Sequence, residues 1–284
     1  MVDVVDKPMT LQEAAGALGV HYMTAYRYVR LGLLSARKSA GAWQVAEADL
    51  ETFRNRAVVV EATRPSAPWA QRFENRLLAG DANGAWGVVE AALTGGAELD
   101  EVYLDVIAPA MESIGARWSL GELDVAMEHR ASAIVARLLG RIGHRFARRG
   151  RPKGVVVLGA PAGEVHSLPV SMAADLVRQG GWDVSDLGVD LPVGSFVHGA
   201  LETDDVVAVG LSVTMADSLV TAIGTLSALR EAVHPGVVLI VGGRAIRCDE
   251  HAAELGADGY APDGRSLALL LDSLVRRGPE YRAV

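Results

Sequence analysis

Three short apolar runs in the second half of the chain restrict its fold more than any other feature. They are Gly154-Val-Val-Val-Leu-Gly159, Val206-Val-Ala-Val-Gly-Leu-Ser212 and Val237-Val-Leu-Ile-Val-Gly-Gly243. Continuous apolar stretches of this length suit strands buried on both faces of a parallel sheet. Two further strands are predicted over 182–187 and around Asp258-Gly259-Tyr260, with helices over 170–179, after Pro192, over 217–233 and over 266–275. The alternation predicts an open α/β domain with a five-stranded parallel sheet.

The rest of the 284 residues is then read for what it adds to that domain. Half of the residues are hydrophobic and 22% are charged, which argues for packed cores in two or three domains. The net charge of −8 does not mark the whole chain as a nucleic-acid binder, but residues 1–60 carry seven Lys or Arg against six acids. One cysteine, Cys248, excludes an internal disulfide and fits a reducing compartment. No apolar stretch has membrane-spanning length, so a soluble cytoplasmic protein without a membrane partner is expected.

Near the start, Thr10 and Glu13 have the spacing of a capping box, and Leu11, Ala14, Ala15 and Leu18 line one helical face. A break at Gly19-Val20 separates this helix from a second, which carries Thr24, Tyr26, Arg27, Tyr28 and Arg30. Such side chains reach phosphates and base edges when a recognition helix enters the major groove. Arg37-Lys38 and Gly41-Ala-Trp43-Gln-Val45 then read as a hairpin or wing. The arrangement resembles MerR-type and excisionase-type winged DNA-binding heads, which implies that Thr24, Arg27 and Arg30 face the groove while Arg37 and Lys38 grip the backbone. Residues 1–60 form this head, and 61–68, with Arg64-Pro-Ser-Ala-Pro68, form a linker. Residues 69–150 predict a four-helix bundle, with Pro109 bending the third helix or starting a new turn and the fourth running to about Arg149.

Candidate ligand residues cluster at the predicted strand ends of the α/β domain, residues 151–284. Glu164 and His166 lie in the loop after the first strand, Ser212 and Thr214 after the third, and Gly242 and Gly243 after the fourth. Open sheets bind ligands at these carboxyl ends, and glycines there allow close approach to the backbone. The dinucleotide fingerprint is absent, as is a Walker loop. Trp118 ends the third bundle helix, and Glu128-His129 follow one turn into the fourth. His21, His144, His198, His234 and His251 lack metal-ligand spacing, and no nucleophile, base and orienting group converge, so no catalysis is expected.

Taken in order, these pieces resemble the CarH-type B12-dependent photoreceptors and their MerR-like light-responsive transcriptional relatives. The resemblance covers nearly the whole chain and implies a winged helix-turn-helix head, a four-helix bundle and a Rossmann-like (flavodoxin-like) cobalamin-binding domain. It implies adenosylcobalamin as cofactor, His166 as the lower axial cobalt ligand oriented by Glu164, and a nucleotide tail near Ser212, Thr214, Gly242 and Gly243. Trp118, Glu128 and His129 would cap the upper face. The implied partners are double-stranded operator DNA and further copies of the chain, as a dimer or tetramer that light takes apart to release the repressed operator. Two positions depart from the family pattern. Ser119 stands where a histidine commonly follows the capping tryptophan, and Pro169 stands where a glycine is usual. Another cobalamin form or another tetrapyrrole remains an alternative ligand, and a corrinoid carrier for methyl transfer remains the alternative function.

Overall fold

A computed structural model describes residues 9–18, 22, 25, 26, 29, 34–39, 42–50 and 68–275. The chain divides into two compact units, Met1–Pro68 and Trp69–Val284.

In the first unit, β1 (Met9–Thr10) leads directly into α1 (Leu11–Ala17). The Glu13 amide donates to the Thr10 hydroxyl and the Thr10 amide to the Glu13 carboxylate, which completes the capping box. The wing is a hairpin of β2 (Arg37–Ser39) and β3 (Ala42–Val45), with Lys38 opposite Trp43. Its sheet has a third strand that periodicity did not reveal, because β1 is only two residues long and pairs Met9 with Val45. Leu11, Ala14, Ala15, Ala25, Leu34, Val45 and Leu50 form the core. Tyr26, expected to face DNA, stacks on Tyr22 and packs against that core. Arg37 and Lys38 are exposed on the wing, whereas Thr24, Arg27, Tyr28 and Arg30 lie outside the described residues.

The second unit begins with four helical segments. α2 (Trp69–Leu78) is followed by α3 (Ala82–Thr94), whose N-terminus is capped by Asp81 through the Gly84 amide at 2.8 Å. The third segment has a turn at Leu99–Glu101, a π-helical stretch at Val102–Ile107 and then α4 (Ala108–Ser119). Pro109 stands in the first turn of α4, and the Ala108 amide reaches back five residues to the Tyr103 carbonyl. A proline lacks an amide donor and crowds the carbonyl four residues earlier, so a new helical start suits it. α5 (Val125–Ile142) ends before the expected limit and passes into a 3-10 turn, Gly143–Phe146. A Cβ at Gly143 would come within 2.9 Å of the Asp175 carboxylate, so a side chain there would have to displace that group.

The remaining elements are β4 (Val155–Gly159), α6 (Ser167–Gln179), β5 (Asp183–Asp186), α7 (Val193–Leu201), β6 (Val206–Ser212), α8 (Leu219–Ala232), β7 (Val238–Gly242), α9 (Asp249–Glu254), β8 (Gly259–Ala261) and α10 (Gly264–Val275). The five strands are all parallel, in the order β5-β4-β6-β7-β8. Alternate residues face opposite cores. Val157, Val209, Leu239 and Val241 pack with Phe196 and Leu226, while Val156, Ala208, Val238 and Ile240 pack with Val177 and Leu271. α9 was not predicted, since six residues are too few to show a helical stripe. In this strand order the connections leave β4 and β6 in opposite directions, which opens a crevice at their carboxyl ends.

The bundle and the sheet share a core, because Met172 and Leu176 of α6 pack among the bundle residues. At the same junction the fully buried Tyr103 donates its hydroxyl to Asp175 at 2.8 Å, and Asp175 pairs with Arg178 at 3.1 Å. Burial first, then the neighbouring Asp175 charge, pushes the Tyr103 phenol far up, so it remains a donor. Tyr103→Phe leaves the Asp175 oxygen without that donor. The substitution is expected to lower stability by about 1–3 kcal/mol, read as a lower urea midpoint with an unchanged slope.

Candidate functional site

The crevice is covered by the bundle and forms a cavity of about 1560 Å³. This is larger than the roughly 300–1,000 Å³ of most small-molecule sites. Its sheet side includes Gly159, His166, Ser212, Thr214, Gly242 and Gly243, and its bundle side includes Trp118, Ser119, Glu128 and His129. Residues as far apart in the chain as Trp118 and Gly243 therefore meet around one space. Of the expected ligand residues, only Glu164 does not line it, because its side chain lies buried behind His166.

Glu164 follows β4 on a tight loop, and its carboxylate accepts several hydrogen bonds. His166 Nδ1 donates to Oε1 at 2.5 Å, and the Thr214 hydroxyl donates to the same oxygen at 2.8 Å. The backbone amides of Thr214 and Met215 donate to Oε2 at 2.6 and 2.9 Å. Burial alone pushes the carboxyl up, but the hydrogen bonds from His166, Met215 and Thr214 outweigh it and hold the group below its ordinary range. A carboxylate on Nδ1 fixes the imidazole tautomer and leaves Nε2 as the metal-binding nitrogen.

His166 also stands at the N-cap position of α6, so the helix begins directly beyond it. Pro169 is the third residue of α6, in the first turn, where the missing amide costs no helical hydrogen bond. The two glycines at the end of β7, Gly242 within it and Gly243 just beyond, serve the chain's own packing before any ligand is considered. A Cβ on Gly242 would strike the Ala261 carbonyl, and one on Gly243, whose φ is 96°, would strike the Val213 carbonyl.

On the bundle side Trp118 is partly exposed, and the Ser119 hydroxyl donates to the Ala116 carbonyl at 2.7 Å. Glu128 is held from two directions, by His129 Nδ1 and by the Ser132 hydroxyl, each at 2.7 Å. Ser132 lines the cavity and was not singled out in the sequence, where one serine among helical residues carries no signal. Arg265 also lines the cavity and pairs with Asp100 of the bundle at 2.7 Å. Near it, burial pushes the Asp105 carboxyl up, with Arg265 opposing and Glu101 and Asp100 adding to the rise. Among the described residues no group of three or more His, Cys, Asp or Glu could hold a metal ion. A metal already held by a macrocycle needs only an axial donor, and the His166 imidazole is chemically suited to supply one.

Known families and proteins match the same segments. Residues 69–142 and 154–268 each match a B12 binding domain family, and residues 8–57 match a helix-turn-helix domain family. The chain joins a helix-turn-helix domain to a B12-binding domain. Among curated relatives, the dimethylamine corrinoid protein of Methanosarcina barkeri is 28% identical over 178 residues, spanning 61% of this chain and 82% of that protein. The trimethylamine corrinoid protein of the same organism is 29% identical over 177 residues, spanning 61% and 81%. The solved structure of the Methanosarcina barkeri monomethylamine corrinoid protein covers 71% of this chain and 96% of its own, with a TM-score of 0.63 and 17% identity, a likeness of fold. No helix among the described residues is long and apolar enough to cross a membrane.

The lowered Glu164 carboxyl makes stability depend on pH in a defined direction. Its contribution is complete above the unfolded carboxylate value of about 4.3 and is lost as the pH falls from there through the lower folded value. The stability gap between the wild type and Glu164→Gln is therefore expected to be widest near neutral pH and to close below about pH 4. Urea unfolding of both proteins across that range measures it.

Proposed function

We propose that the chain is a cobalamin-responsive DNA-binding regulator, in which His166 ligates cobalt and the head binds operator DNA. The observation that carries this reading is the helix-turn-helix domain on the same chain as the B12-binding domain. Residues 1–60 form the head, 61–68 the linker, 69–150 the cap over the cofactor and 151–284 the cobalamin domain. Ser212, Thr214, Gly242 and Gly243 surround the nucleotide tail. Trp118, Glu128 and His129 shape the space above the metal, and their position on the bundle side of the cavity supports that assignment. Thr24, Arg27, Arg30, Arg37 and Lys38 contact DNA.

The form of cofactor that suits a capped upper face is adenosylcobalamin, which supplies a light-cleavable cobalt–carbon bond when bound. A ligand that favours an assembled state also favours multivalent DNA binding, because each head covers few base pairs. Light that removes the upper group then releases the operator. Ser119 offers a hydroxyl where the family offers an imidazole, and His129 is the imidazole that the bundle side of the cavity carries.

A second reading is favoured by the curated relatives, which are named as corrinoid proteins and match the part of the chain that follows the head. In that reading the chain carries a corrinoid for methyl transfer.

Size-exclusion chromatography with in-line absorbance, on protein reconstituted with adenosylcobalamin, separates the two. The regulator is expected to co-elute with the corrinoid as an oligomer that shrinks on illumination, and Trp118→Ala to weaken that assembly in the dark. An unchanged mass in dark and light favours the carrier. His166→Ala is expected to abolish cobalt ligation by the protein, visible in the absorbance spectrum. Lys38→Ala is expected to weaken DNA binding uniformly across sequences and to reduce the salt slope by about 1, measured by titration at several salt concentrations.

A further inference from the structure

The Glu164-His166 segment is fastened from a side that neither the sequence pattern nor its relatives' names identify. Asp190 follows β5 and adopts a φ of 55°, one of two non-glycine residues with positive φ among the described residues. That left-handed conformation is unfavourable for most side chains and is tolerated best by Asn and Asp. It lets Asp190 make two bonds to the neighbouring loop. Its carboxylate Oδ1 accepts from the Gly163 amide at 2.8 Å, and its own amide donates to the Glu164 carbonyl at 2.9 Å. Alongside, the Leu191 amide donates to Ala160 at 3.1 Å, and Pro161 forms a parallel bridge with Leu191.

Glu164 is consequently held at both ends. The loop after β6 holds its carboxylate through Thr214 and Met215, and the loop after β5 holds its backbone through Asp190. His166 is only two residues further on, and its ring bonds the Glu164 carboxylate, so both fastenings bear on the direction in which that ring faces the cavity. We infer that Asp190 is a positioning residue for the axial imidazole, setting the share of bound corrinoid that His166 ligates. The inference rests on the reading of His166 as the cobalt ligand. Asp190 itself is exposed, so replacing its side chain removes the bond from the Gly163 amide without opening a core, while the backbone bond to the Glu164 carbonyl then depends on the left-handed conformation alone.

Three substitutions separate the conformational effect from the hydrogen bond. Asp190→Asn retains both the acceptor and the left-handed preference, Asp190→Gly retains only the conformation, and Asp190→Ala retains neither. In cofactor-free full-length protein, hydrogen exchange at the Gly163 amide is expected to quicken about fivefold in the Gly and Ala variants, the size of one ordinary hydrogen bond. In the Asn variant it is expected to remain at the wild-type rate.

The second readout uses cob(II)alamin bound to protein labelled with ¹⁵N-histidine. Ligation by a labelled ring splits the electron paramagnetic resonance lines into doublets, whereas the cofactor's own unlabelled base gives triplets. The wild type and Asp190→Asn are expected to show the doublet, and its share is expected to fall at least twofold in Asp190→Ala and Asp190→Gly. Full doublet intensity and unchanged exchange in those two variants overturn the role of Asp190 while leaving His166 as ligand. A wild type without the doublet overturns the axial role of His166 and this inference with it.

Discussion

The buried carboxylate of Glu164 is the constraint on which the rest of the site depends. An ionised group without solvent is strongly unfavourable unless donors surround it. Here a histidine ring, a threonine hydroxyl and two consecutive backbone amides surround it, and the amides belong to a different strand end. The requirement works in both directions. The carboxylate can stay charged only if β6 ends beside β4, and once it is charged it fixes the ring of His166. The same group thus ties the sheet topology to the orientation of one imidazole nitrogen.

The cavity itself depends on a second junction, between the bundle and α6. Tyr103 reaches Asp175 from a π-helical stretch, Arg265 reaches Asp100, and Met172 and Leu176 extend the bundle core across the boundary. A π turn rotates the following residues relative to an α-helical path, and Pro109 then restarts the helix that ends at Trp118. The position of Trp118 on the cavity wall is therefore a consequence of helix geometry upstream. His166 also immediately precedes the helix that carries Asp175, so the cavity's two walls are joined through one helix.

Joining such a cavity to a helix-turn-helix domain has a simple thermodynamic meaning. A ligand shifts an equilibrium only by its difference in affinity for the two states. One small head covers few base pairs, so useful DNA affinity grows when several heads are held together. In the proposed regulator, a corrinoid that contacts the bundle and the sheet at once would bias how copies of the chain associate. The proposed regulator needs the helix-turn-helix domain and a carrier does not, whereas the cavity's two walls serve either role.

The sequence by itself determined the order of the longer elements and the identity of the candidate ligand side chains. Valine-rich runs, a capping box and paired glycines act within a few residues of themselves, so the five strands, α1, and the loop bearing Glu164 and His166 were legible there. Its account of the glycines was incomplete, because the clash of a Cβ at Gly242 or Gly243 is with carbonyls at Ala261 and Val213. The early end of α5 at Ile142, the third strand of the head and the packing of Tyr26 were illegible for the same reason: each depends on a neighbour that is distant in sequence or on an element too short to show a period. Only the tertiary structure decided that Thr214 and Met215 would complete the shell of Glu164 and that Asp190 would fasten its loop. Hydrogen bonds between strand ends depend on sheet order, and parallel strands meet only after the crossovers have placed them.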